Sequence, residues 1–173
     1  MPIPRPTGQV ETILMTGANA WPDIDEDAVF AQAARIKATS AVLTAQKAAC
    51  DELLAGLGLT WWGEAAEAAM ANLEAIVREL DGVLTDLAAA EECYDDLAEE
   101  VDELKGAITY RVELAQATIN MLKTQPEGAA DIPEIVEAVS ALNVAAVSAL
   151  AAAIQEEGGV LCEDLVGPTV HAE

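Results

Sequence analysis

An all-α fold is predicted: a long antiparallel helical hairpin with a third helix folding back on it, in a helical-bundle architecture. Three observations predict it. Apolar residues recur every seven positions along two long stretches, no segment alternates with the period of two that a strand requires, and the apolar content is mostly Ala, Leu and Val with six aromatics. Ala-rich, aromatic-poor sequences favour closely packed helices over sheets. At 173 residues the chain fits one domain with a sizeable core. Three segments divide it: a Pro-rich leader and short helix over 1–20, the hairpin plus third helix over 21–157, and a tail over 158–173.

The leader carries three prolines in its first six residues, which remove amide donors and disfavour helix before each of them. No continuous apolar run comes after them that a general secretory signal would need. Residues 9–19 predict a short helix stopped at Gly17 and Asn19.

At Trp21-Pro22-Asp23-Ile24-Asp25-Glu26-Asp27 a helix is expected to start, with Pro22 in its first turn and the carboxylates at its positive end. Its body, about 25–57, has Val29, Ile36, Leu43, Cys50 and Leu57 seven apart, with Ala33, Leu53 and Leu54 widening the stripe. Gly56 and Gly58 are expected to end it. Asp23 to Asp27 also imitates the opening of a calcium loop, but Ala28 replaces the required Gly and Ala34 the bidentate Glu, which leaves helix capping as the reading.

The second helix, from about 64 to 123, is the clearest object. Ala66, Leu73, Leu80, Leu87, Tyr94, Val101, Ile108, Ala115 and Leu122 repeat every seven residues without a charge, and Leu73 to Ile108 form the expected packing seam. A second row, Met70, Val77, Leu84, Glu91, Ala98, Lys105, Val112 and Ile119, is broken only at Glu91 and Lys105, where looser packing is expected. Gly82 and Gly106 are positions where a kink can form. After the break at Lys123 to Gly128, a third helix begins near Asp131, its N-cap, and ends at Glu156-Glu157-Gly158-Gly159. Because the first helix is much shorter than the second, the segment beyond about residue 95 needs cover from the third helix or another chain. The third helix is expected to fold back there and leave the Trp61-Trp62 end open.

Eight Lys plus Arg against 31 Asp plus Glu give a net charge of −23, which repels phosphate backbones and anionic headgroups. Nucleic acid is therefore not an expected partner. Membrane insertion is not expected either, because the longest apolar-looking stretch, Val144 to Ile154, is about half a span. Cys50, Cys93 and Cys162 are widely spaced and read as reduced. The single histidine, His171, leaves no pair for nucleophilic catalysis or a His-carboxylate metal bundle, so no catalytic residue, cofactor or metal is assigned. The acidic run Glu91, Glu92, Asp95, Asp96, Glu99, Glu100, Asp102 and Glu103 is a solvated face or a docking face for a basic partner. Trp61-Trp62-Gly63 is the most informative short string. Gly63 lets the backbone turn, and the adjacent indole either covers the hairpin end or fills a groove on a partner.

A Trp-x-Gly turn between two long heptad helices resembles the WXG family exported by type VII (ESX) secretion systems. Glu64-Ala65-Ala66-Glu67-Ala68-Ala69-Met70 is similar to the segment after that turn in WXG-like and PPE-type proteins of actinobacteria. The run from Trp21 to Ala28 resembles the opening of WXG-like N-terminal domains on larger secreted toxins. The resemblance covers about residues 20–155. It implies pairing with another helical hairpin as a homodimer or heterodimer, a possible secretion chaperone, and passage from the cytoplasm to the outside without a cleavable signal peptide. The family's export signal, Tyr-x-x-x-Asp/Glu, has no counterpart here, since Tyr94 is followed four residues later by Ala98 and Tyr110 by Leu114; a partner would have to supply it. The alternative is a structural or scaffolding coiled-coil protein of an actinobacterium or its phage.

Overall fold

The computed structural model describes residues 2–15, 20–125 and 127–166. The fold is the expected all-α one: α1 (Gln9–Leu14), α2 (Glu26–Thr60), α3 (Glu64–Leu122) and α4 (Ile132–Val166), with a 3-10 turn at Gly128–Ala130 before α4. The chain forms two compact units, one of residues 30–95 and one that combines residues 1–29 with 96–173.

The unit 30–95 is a hairpin of two antiparallel helices. Cross-helix ion pairs record its register, Lys37 Nζ to Glu91 Oε1 at 2.9 Å and Lys47 Nζ to Asp81 Oδ1 at 3.3 Å. Hydrogen bonding to Glu91 and that carboxylate's charge raise the pKa of Lys37; hydrogen bonding to Asp81, with the charges of Asp51 and Asp81, raises that of Lys47. The heptad positions Ile36, Leu43, Cys50 and Leu57 of α2 and Leu73, Leu80, Leu87 and Tyr94 of α3 are all half-buried, as a seam between two helices must be. Only Ala33 and Ala66 are fully buried here.

In the other unit, α3 continues the same rows into a core. Ile108, Val112, Ala115 and Ile119 pack with Leu14 and Met15 at the end of α1, with Ala20, and with Ile135, Val136 and Val139 of α4. Val101 is also fully buried. Ser140 Oγ donates to the Leu14 carbonyl at 2.9 Å, which satisfies an acceptor that the end of α1 leaves open. Gly128 is fixed by close approach: a Cβ there would lie 2.5 Å from the Leu122 carbonyl oxygen. Cover beyond residue 95 by the third helix is thus observed, and α1 contributes to it.

Several boundaries differ from the sequence reading. The first helix ends at Leu14, and Gly17 and Asn19 lie outside the described residues. Helix α2 runs through Gly56 and Gly58 to Thr60, and α3 runs through Gly82 and Gly106. A single Gly costs a helix interior about 1 kcal/mol, which neighbouring turns absorb. Pro22 is buried but lies ahead of the helix, which starts only at Glu26. Helix α4 continues past Gly158-Gly159 to Val166; the side chain of Cys162 and all of Gly167, Pro168 and His171 lie outside the described residues. The apolar stretch is also longer than expected. Within Gly128–Glu156, α4 is long and apolar enough to cross a membrane by length and composition, with a mean hydropathy of 1.8 in its best 18-residue window. Most of that window is unburied.

Candidate functional site

The turn between α2 and α3 takes three residues. Trp61 N donates to the Leu57 carbonyl at 3.0 Å and closes the last turn of α2. Gly63 then adopts φ +106, a conformation that L side chains rarely adopt, and its carbonyl accepts from Ala66 N at 2.9 Å and Glu67 N at 3.0 Å. The extended backbone of most capping residues is replaced by this positive-φ step, which reverses the chain at once into α3.

The two tryptophans differ in exposure. Trp62 is 80% exposed, so its indole does not cover the hairpin end, and Leu59, three residues before it, is 78% exposed. Trp61 is less exposed, and Leu53, two turns earlier, is exposed as well. Large apolar groups concentrated at one end of a hairpin are what a docking surface presents. Between Lys47 and Arg78 the chain has no basic residue, while Asp51, Glu52, Glu64, Glu67 and Glu74 are acidic. An apolar tip with an acidic surround results.

The residues at the other singled-out motif belong to the second unit and serve to anchor. Asp25 is the N-cap of α2, its Oδ1 accepting from Ala28 N at 3.2 Å and its carbonyl from Val29 N at 3.1 Å. Asp23 is exposed. Trp21 packs against the core, and Lys105 Nζ lies 5.7 Å from its ring centroid.

Lys105 departs most clearly from the sequence reading. Looser packing is expected at this charge, yet Lys105 is 4% exposed and Glu26 2%. Lys105 Nζ donates to Glu26 Oε2 and to the Ile24 carbonyl, each at 2.5 Å, and Ile3 N donates to Glu26 Oε1 at 2.6 Å. Burial by itself raises the Glu26 pKa. The hydrogen bonds from Lys105, from the Ile3 amide and from its own amide, with the Lys105 charge, outweigh that and bring it from 4.5 down to about 2. The network thereby ties the leader, the start of α2 and the middle of α3. Glu91 is likewise paired, with Lys37. The signal that was available is complementary: one charge interrupts an apolar row on α3, and one of several carboxylates opens α2.

Among the described residues no group of three His, Cys, Asp or Glu side chains is placed to hold a metal ion. Cys50 and Cys93 are half-buried.

No family model, no curated protein and no solved structure matches this chain.

Proposed function

We propose that this chain works without catalysis, by helical pairing, as a WXG-like protein of type VII (ESX) secretion. In that role it is either an exported partner or the targeting domain of a larger effector. The observation that carries the proposal is the exposed indole of Trp62, held beside Gly63 at the turn between two long heptad helices. A tryptophan left in water at a rigid turn has a large area to desolvate at little cost in side-chain freedom, which is the usual character of an interface anchor. The acidic surround of the tip favours a partner whose apolar pocket is rimmed by Lys or Arg, either another helical hairpin or a secretion chaperone. Nucleic acid and anionic membranes are disfavoured by the net charge of −23. The protein would leave the cytoplasm without a cleavable signal peptide, with its partner supplying Tyr-x-x-x-Asp/Glu.

Two measurements test this. Release of the chain from its host should stop when the type VII secretion motor is deleted; unchanged release removes the secretion reading. Affinity for a partner hairpin co-purified with the chain, or for a second copy if it pairs with itself, should fall by about 2 kcal/mol or more in Trp62→Ala. Self-assembly into filaments or shells that ignores Trp62 would instead favour the scaffolding alternative.

A further inference from the structure

We propose that the groove between α3 and α4 is a second docking surface, and that its occupant is an amphipathic helix of another protein with Lys or Arg flanking a small-residue or Leu stripe. This surface is independent of the secretion reading and of the Trp62 turn.

The groove, of about 430 Å³, is lined by small and apolar side chains, with half-buried Leu104 of α3 and buried Leu150 of α4 deepest, Ala146 and Ala153 beside them, exposed Ala107 and Ala149 at its edges, and Glu100 and Glu103 on its α3 side. It is shallow and open, unlike the enclosing concave sites of small ligands, and two helices, over 100–107 and 146–153, form its walls, the setting in which a helix lies in a groove. The alanines leave room for a helix to approach closely, and Leu104 and Leu150 offer it apolar contact. The α4 side brings no charge: from Ala138 to Gln155 the sequence has none. The α3 side brings only carboxylates, Glu100 and Glu103, one helical turn apart and both exposed. An occupant must therefore match an apolar wall with an acidic rim.

A second copy of this chain does not fit. Of its eight basic residues, Lys105 is buried on Glu26, Lys37 is engaged with Glu91, Lys47 with Asp51 and Asp81, and Arg111 has Nε and Nη2 buried. Among the remaining Arg5, Arg35, Arg78 and Lys123, no two lie one turn apart on a helix. Apposing two copies at this rim would bring carboxylates together without a counter-charge. Lipid would satisfy the apolar wall but not the carboxylates, which anionic headgroups repel.

The test titrates the full chain with a panel of fluorescent helical peptides carrying Leu or Ala stripes flanked by Lys, and with the same peptides flanked by Glu. Saturable binding of Lys-flanked peptides is expected. Ala149→Gln with Ala153→Gln changes no charge but obstructs the α4 side of the groove, and should weaken binding about tenfold or more. Glu100→Gln with Glu103→Gln should weaken it similarly, and Glu113→Gln with Glu134→Gln, which removes the same charge elsewhere, should have little effect. Circular dichroism of each variant separates loss of binding from loss of fold. Equal losses in the two glutamate pairs would reduce the effect to general attraction and overturn the proposal, as would failure of the whole panel to bind. Adhesion of phosphatidylcholine vesicles that is lost in the Ala149→Gln, Ala153→Gln variant would assign the face to lipid instead and overturn it too.

Discussion

Helix α3 passes through both compact units with one unbroken heptad pattern, yet its apolar rows fare differently in the two. In the unit 30–95, Leu73, Leu80, Leu87 and Tyr94 stay half-buried; in the other, Val101 and Ile108 are completely buried, and so are Ala98 and Val112 of the second row. Residue type does not explain this, since Leu is as apolar as Val or Ile. The number of packed elements does. Two helices cover one stripe of each other, whereas the second unit adds α1 and α4, which close over the stripes that a hairpin leaves to solvent. The same contrast governs charge: Lys37 and Glu91 pair at the surface of the hairpin, and Lys105 and Glu26 pair inside the other unit.

The largest expected effect tests that charge contrast. Lys105→Ala leaves a buried carboxylate unpaired and should destabilise by about 3–5 kcal/mol, whereas Lys37→Ala, which removes a solvent-screened surface pair, should cost far less. Urea denaturation of both variants measures the difference, and similar losses would erase the distinction between the two pairs. The double variant Lys105→Met, Glu26→Leu should recover much of the loss, because the desolvation cost of both charges disappears together.

Core truncation comes next. Ile108→Ala should cost about 2–5 kcal/mol by cavity formation. Leu80→Ala, at a half-buried seam position, should cost clearly less. A larger loss at Leu80 would mean that the hairpin seam is covered by something beyond the two helices.

The buried pair also sets a pH signature. The Glu26 pKa is depressed in the folded chain, so the stability it contributes is fully present above its ordinary value of 4.5 and is lost as pH falls toward about 2. Thermal melts from pH 5 to pH 2 should therefore fall, and in Glu26→Gln the component due to this group should be missing from the slope. Parallel slopes would show that other carboxylates dominate.

Smaller effects belong to the turn. Gly63→Ala forces an L side chain into φ +106 and should cost about 1–2 kcal/mol, although nothing lies within 4 Å of the added Cβ. Trp62→Ala should change stability by no more than about 0.5 kcal/mol, because the indole is mostly in water already. A drop of several kcal/mol in Trp62→Ala would make that residue part of the fold and end its role as a partner anchor.

Local physics wrote much of this molecule into the sequence. The heptads of α2 and α3 required two packed helices, since a seven-residue apolar repeat keeps one stripe facing a neighbour along the whole length. Gly63 marked the reversal and Asp131 the start of α4, the Asp131 carbonyl accepting from Ile135 N at 3.2 Å, whereas the start of α2 was read a turn early, at Pro22. These signals act within a few residues of themselves. Helix ends at Gly56, Gly58 and Gly158 were misplaced for the same reason: a glycine weakens a helix without ending it unless the chain must also turn.

The tertiary structure alone decided which apolar rows become core and which charges are buried. Lys105 looks like a flaw in an apolar row until Glu26 arrives from 79 residues away to accept from it, the other oxygen of that carboxylate accepting from the Ile3 amide, 23 residues before Glu26. Trp21 and Trp62 are the same residue type ahead of two helix starts, yet one packs against a core beneath Lys105 and the other stands in solvent. Burial and ion pairing depend on partners remote in sequence, and their free energy exists only once those partners are in place.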